Sequence, residues 1–199
     1  NGNSETPLMV IVKNLSTASQ EWRTYHKDLT ANYSINLDDT SAQANTSVIT
    51  SVGSSTFTVG NGNSSGASGE DYVFIAWFAS EFISIGSYEG NGSTDGTFTP
   101  LLNSAGIPLS PIWHINKRAD STSNWYMFDK ARDPYNPTEN ILQAAGTDVE
   151  AASDDYDHVN GGIKLRNSSA SHNQSGGDYV YITIGIPTID RAGRILTAR

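Results

Sequence analysis

Short runs of alternating apolar and polar residues, each closed off by Gly, Asn, Ser or Pro, dominate this chain. They recur at Pro7-Leu-Met-Val-Ile-Val-Lys13, Trp22-Arg-Thr-Tyr-His-Lys27, Phe57-Thr-Val-Gly-Asn61 and Ser68-Gly-Glu-Asp-Tyr-Val-Phe-Ile75. A period of two puts successive side chains on opposite faces of a pleated strand, so each run predicts a β-strand. Helical periodicity is weak throughout, and only Pro137 to Ala145 can hold a short helix. The prediction is an all-β protein.

The same four runs occur a second time, in the same order. Pro111-Ile-Trp-His-Ile-Asn-Lys117 answers the first, Trp125-Tyr-Met-Phe-Asp-Lys130 the second, Ile163-Lys-Leu-Arg-Asn167 the third and Ser175-Gly-Gly-Asp-Tyr-Val-Tyr-Ile182 the fourth. Repetition with small offsets is the mark of duplicated architecture. We therefore expect two tandem copies of a β-sandwich-like module, over residues 1–80 and 81–187, with 188–199 as a C-terminal arm or tail. The first two strands of each copy should form a hairpin, through Asn14 to Gln20 and Ala119 to Asn124. The tail carries Arg191, Arg194 and Arg199 and reads as an arm reaching a partner or as a frayed end.

Differences between the copies bear on burial. Met9 and Ile11 match Trp113 and Ile115, which should be the shared core face. The opposite face reads Leu8, Val10, Val12 in the first copy but Ile112, His114, Asn116 in the second. The first copy should therefore be covered on both faces, by the other copy, a neighbouring subunit or further chain. This reading predicts a homo-oligomer or a larger assembly.

Composition sharpens the class. The 199 residues carry a net charge of -9, which argues against nucleic acid because phosphate neutralisation needs clustered Lys or Arg. No apolar run approaches a membrane span, and Asn1 to Thr6 lack the features of a signal peptide. The absence of cysteine excludes disulfides and thiolate chemistry. Sequons begin at Asn14, Asn32, Asn45, Asn63, Asn91, Asn167 and Asn173, and in a chain so rich in Asn, Ser and Thr they mark surface loops more than glycans.

Several patterns touch on chemistry. Gly62-Asn-Ser-Ser-Gly66 has the spacing of a hydrolase nucleophile elbow but lacks the strand-to-helix context. Asn91 to Gly96 resembles the first half of a calcium loop, yet Leu102 stands where a bidentate Glu is required, so a Gly-rich turn is expected. Asp154, Asp155 and Asp157 form an acidic run, read as solvated. His26, His114, His158 and His172 show no metal-ligand spacing and are expected in loops or on strand surfaces. Trp22 and Trp125 are placed in the core, as is Trp113 through its match to Met9. Tyr88, Tyr126, Tyr135 and Tyr156, in or near loops, are the candidate ligand-binding residues, as stacking surfaces. No catalytic residue, metal or cofactor is expected.

The order Ser87-Tyr-x-Gly-Asn-Gly-x-x-Asp-Gly96, Pro111-x-Trp-x-x-x-Lys-Arg-x-Asp-Ser121, Trp125-x-x-x-Asp129-x-x-Arg132, Gly162-x-Lys-Leu-Arg166 and Ser175-Gly-x-x-Tyr-Val-Tyr181 resembles an uncharacterised repeated module of virion proteins from tailed, especially marine, bacteriophages. There it often follows a laminin-G-like lectin sandwich in tail-fibre-like polypeptides. The resemblance covers Ile85 to Pro187 and is weaker in the first copy, where His26 and Leu29 stand for Asp129 and Arg132. It implies a virion location and a structural or adhesive role, such as a tail-fibre or receptor-binding segment, among other virion proteins and in contact with a host surface glycan. The alternatives are a capsid decoration protein and a free carbohydrate-binding module.

Overall fold

A computed structural model describes residues 5–54, 56–190 and 192–194, leaving aside the side chains of Asp154 and Asp155. The described residues contain fifteen strands and no helix. They fall into two compact units that divide between Ala79 and Ser80.

In the first unit, β1 (Met9–Asn14) lies between β2 (Arg23–His26) and β7 (Tyr72–Trp77). With β3 (Tyr33–Asn36) and β4 (Ala44–Asn45) they make a five-stranded sheet ordered β4-β3-β2-β1-β7. A separate hairpin of β5 (Ile49–Val52) and β6 (Phe57–Val59) packs its apolar side on Val10 and Val12, joined by Val48, Tyr25 and Tyr72. This corrects the reading of the second apolar face: Val48, Ile49, Val52, Phe57 and Val59 of the same unit cover it, so it gives no reason to invoke a neighbour.

The second unit is one eight-stranded sheet ordered β8-β15-β10-β11-β12-β13-β14-β9. Its strands are β8 (Ile83–Glu89), β9 (Phe98–Pro100), β10 (Leu109–Arg118), β11 (Trp125–Asp129), β12 (Thr138–Gln143), β13 (Ala151–Val159), β14 (Gly162–Leu165) and β15 (Asp178–Pro187). The sheet curls until β10 meets β13 and β14 across the interior. Leu109 N donates to Leu101 O at 2.8 Å, so the chain just after β9 also pairs with the start of β10. The result is nearly a closed barrel, where a sandwich was expected. The segment read as a short helix is β12; pairing with β11 and β13 outweighs the favourable helix propensity of Leu142, Gln143 and Ala144.

Strands β10 and β15 pair along their length, with a register shift between Pro111 and Trp113. Proline has no N–H for the ladder, which is why the irregularity falls at Pro111. Opposite it stands Gly185, where a Cβ would come within 2.6 Å of Ser110 O.

Strand β10 is buried on both faces: Ile115 of the expected core face is buried, but the other face, expected to be open, is buried as well. His114 and Asn116 are fully buried and face the interior with Phe128, Tyr156 and Tyr181, while Trp113 is only half-buried. On the opposite face Lys117 is fully buried, cross-strand from Trp125, and its Nζ donates to Ser123 O. In the first unit Lys13 Nζ donates to Gln20 O and sits 5.6 Å from the ring centre of Trp22.

Further contacts recur at matching positions. Lys13 is cross-strand from Val73, and Lys117 from Val180. Lys27 N donates to Leu8 O, and Lys130 N to Ile112 O; Leu37 N to Trp22 O, and Ala144 N to Trp125 O. The Tyr72 hydroxyl accepts from Ala67 N and donates to Asn63 O, each at 3.0 Å. That of Tyr179 accepts from Gln174 N at 2.9 Å and donates to Ala170 O at 2.8 Å. Where the matched residues differ in type, a similar bond is made: Asp129 Oδ1 accepts Ala131 N at 3.0 Å, and His26 Nδ1 accepts Asp28 N at 3.2 Å.

Of the C-terminal arginines, Arg191 and Arg199 lie outside the described residues. Arg194 closes a turn on Asp190, with Nε to Oδ2 at 2.6 Å.

Candidate functional site

Three of the four candidate tyrosines converge, but inside the second unit. Tyr88 ends β8, one residue before Glu89, and Tyr156 lies within β13; both belong to the apolar core, with Tyr126 of β11 packed against it half-buried. The placement of Tyr88 and Tyr156 as loop-borne stacking surfaces is therefore corrected: they are strand residues whose rings are consumed in core packing. Tyr135 stands apart at 81% exposure.

The core is a network of aromatic rings with polar tips. Tyr88 stacks on Tyr179 with centroids 4.9 Å apart and planes 7° apart. Its hydroxyl donates to His172 O at 2.9 Å and accepts from Asn116 Nδ2 at 3.1 Å. The Tyr156 hydroxyl lies 3.1 Å from His172 Nδ1; donation there places the ring proton of His172 on Nε2. Tyr126 meets His172 edge-on at 4.6 Å, and Phe128 meets Tyr156 edge-on at 4.3 Å. Such edge contacts add to area burial.

All four histidines are buried, against the expectation of loop or surface positions. His114 Nδ1 is 2.7 Å from Thr183 Oγ1, and His158 Nδ1 is 3.4 Å from Thr138 Oγ1. Burial, with His158 and His172 nearby, holds the His114 pKa well below the usual histidine value. Burial, then Lys130, lowers His158 to about 4, against the opposing pull of Asp133, Asp129 and Asp157. Both are neutral at pH 7. Among the described residues no three His, Asp or Glu side chains are grouped to hold a metal. These buried rings and their polar tips order the core of the second unit. A signal for it was present: Tyr179, Tyr181 and Thr183 alternate along β15, and Thr183 carries the hydroxyl that His114 meets.

Outside the core, buried amides set the loops. Asn173 is fully buried; its Nδ2 faces Asn91 Oδ1 at 2.9 Å and the carbonyl oxygens of Ser93 and Asn167 at 2.8 Å each, while its Oδ1 accepts Asn91 N. An amide nitrogen thus sits among the oxygens that looked like half a calcium loop. Asn103 Oδ1 accepts from Ala105 N and Ile107 N, and Asn14 Oδ1 from Ser16 N and Thr17 N. Asn14 and Asn173 are sequon positions, yet both are buried, so those two do not mark surface asparagines. The Gly62 to Gly66 stretch is a turn closed by Gly66 N on Gly62 O. Of the acidic run, Asp157 forms an ion pair with Arg166; the side chains of Asp154 and Asp155 lie outside the described residues.

Fold and site together define an all-β protein with a buried aromatic and histidine core and loops fixed by internal amides. The chain belongs to the family of a domain of unknown function, DUF7483, whose model matches residues 1–185. No curated protein and no solved structure matches it.

Proposed function

We propose that this chain is a catalytically inert structural or adhesive component of a tailed-bacteriophage virion, most closely a tail-fibre or receptor-binding segment. The observation that carries the contact role is the construction of its loops. Polar loops rich in Ser, Asn and Gly are held by buried amides at Asn14, Asn103 and Asn173, so they present hydrogen-bonding groups already ordered. Recognition on β scaffolds is concentrated in such loops, and ordering them in advance lowers the cost of binding. The virion location is supported by the motif order from Ser87 to Tyr181. The test is mass spectrometry of purified particles, with antibody labelling under the electron microscope. Particles that lack the polypeptide would end this reading.

We also propose that the two units arose by tandem duplication of one module. The matching cross-strand registers and the paired lysine, backbone and tyrosine hydrogen bonds support it. The tyrosine pair gives a functional check. Tyr72→Phe and Tyr179→Phe each delete a hydroxyl that accepts a backbone N–H and reaches a backbone carbonyl, that of Tyr72 also meeting Glu70 Oε2 and Asn14 Nδ2. Tyr179→Phe should lose about 1–2 kcal/mol in urea unfolding, and Tyr72→Phe should lower the urea midpoint as well. A loss confined to one of them would show that the two hydroxyls are not equivalent.

A further inference from the structure

The outward surface of β13, β14 and β9 carries a second constellation, separate from the buried core. Register places Asp157, Lys164 and Phe98 in one row across the three strands, and Arg166, two residues beyond Lys164, continues the same face. Phe98 is 49% exposed, and its ring covers Gly162, where a Cβ would come within 2.6 Å of the ring's Cζ. One face of that ring is seated on the backbone and the other is left to solvent. Asp157 stands two strand spacings away, roughly 10 Å, and its Oδ2 accepts from Arg166 Nε and Nη2. This leaves Nη1 as a donor and Oδ1 as an acceptor. The pair opens on a cleft of about 370 Å3 completed by Asn136 and Pro137, within the size range of small-ligand sites. The exposed Tyr135 precedes Asn136 in the chain.

Charge decides what fits. Lys164 is paired with Asp95 at 2.6 Å and Arg166 with Asp157, so each cation already has a carboxylate. A phosphate or sulfate needs uncompensated positive charge, and the chain as a whole is at -9. A flat aromatic face beside a balanced donor and acceptor pair suits a ligand with apolar C–H faces and many hydroxyls. We propose that this face and cleft bind a neutral saccharide, with Phe98 as the stacking platform and Arg166 with Asp157 as the hydroxyl-binding pair. The proposal rests on the adhesive reading and gives it a place on the molecule.

Affinity electrophoresis of the whole chain tests it, in gels cast with dextran, mannan, galactan or laminarin, and with alginate or heparin as acidic comparators. At least one neutral polysaccharide should retard the protein. Phe98→Ala and Arg166→Gln should each weaken that retardation by tenfold or more, while Phe82→Ala, which removes another exposed aromatic, should leave it unchanged. Thermal unfolding of each variant establishes that the fold is kept. Migration unaffected by all four neutral polymers overturns the proposal. So does retardation by the acidic polymers alone, or retardation that Phe98→Ala and Arg166→Gln leave intact. The virion reading is scored separately, by the particle content: a chain found in particles that binds no neutral glycan ends the saccharide site and leaves the virion role standing.

Discussion

Lowering the pH from 7 to 5 should destabilise this protein by several kcal/mol, before most carboxylates begin to titrate. The cause is two buried histidines of the second unit, His158 and His114. His158 titrates near 4 in the folded chain and near 6.5 when unfolded. Above pH 6.5 both states hold it neutral and its contribution to stability is complete. Below 6.5 the unfolded chain takes up the proton first, and stability falls by about 1.4 kcal/mol per pH unit for each such histidine. For His158 the loss levels off near pH 4, at about 3 kcal/mol in all. His114 is shifted in the same direction by burial and by its two histidine neighbours, so its loss adds over the same window. The Asp120 carboxyl is held low by hydrogen bonding to Arg118, and for Asp129 the upward push of burial is outweighed by hydrogen bonds from Arg132, so both titrate below this range. Urea midpoints measured in half-unit steps from pH 7.5 to 4.5 provide the check. A flat profile between 6.5 and 5 would mean that the histidines are not held neutral. His158→Gln should reduce the slope in the wild-type window.

That core was the least legible part of the sequence. The strand runs and both hairpins were readable because period-two alternation and turn residues are local signals. The inward face of β10 was not, because His114 and Asn116 look like solvent-facing residues when read along one strand. They are tolerated inside because Thr183, Tyr88 and His172, brought from β15, β8 and a distant loop, supply their partners. Burial of a polar group depends on partners that only tertiary structure brings together. The hairpin over Val10 and Val12 escaped for a related reason: residues 48–59 alternate weakly, and their apolar character matters only once they fold onto β1. Tyr88 and Tyr156 were misplaced because nearby Gly, Asn and Asp suggested loops, whereas cross-strand pairing carries both into the sheet. Tyr135 alone of the four kept an exposed position.

Asn173→Asp should cost about 3 kcal/mol or more at neutral pH although the two side chains have nearly the same shape. The native amide nitrogen supplies hydrogens to three oxygens, Asn91 Oδ1, Ser93 O and Asn167 O, all within 2.9 Å. In the variant an ionised carboxylate oxygen would face those three acceptors at full burial, losing the hydrogen bonds and adding repulsion. Protonation offers partial relief, since a neutral carboxyl group can donate one hydrogen bond. The folded-state pKa of the new Asp is therefore raised above its unfolded value near 3.9. Such a group's penalty is small below the unfolded pKa and grows as pH rises toward the folded one, opposite in sign to the histidine effect. The difference between variant and wild type, taken at each pH, should thus widen from pH 4 to pH 7. The loop so loosened carries Asp95, the partner of Lys164, so hydrogen exchange at residues 90–96 should accelerate and saccharide retardation should weaken. A deficit below 1 kcal/mol, or one that does not change with pH, would show that Asn173 is not the pin that holds this loop.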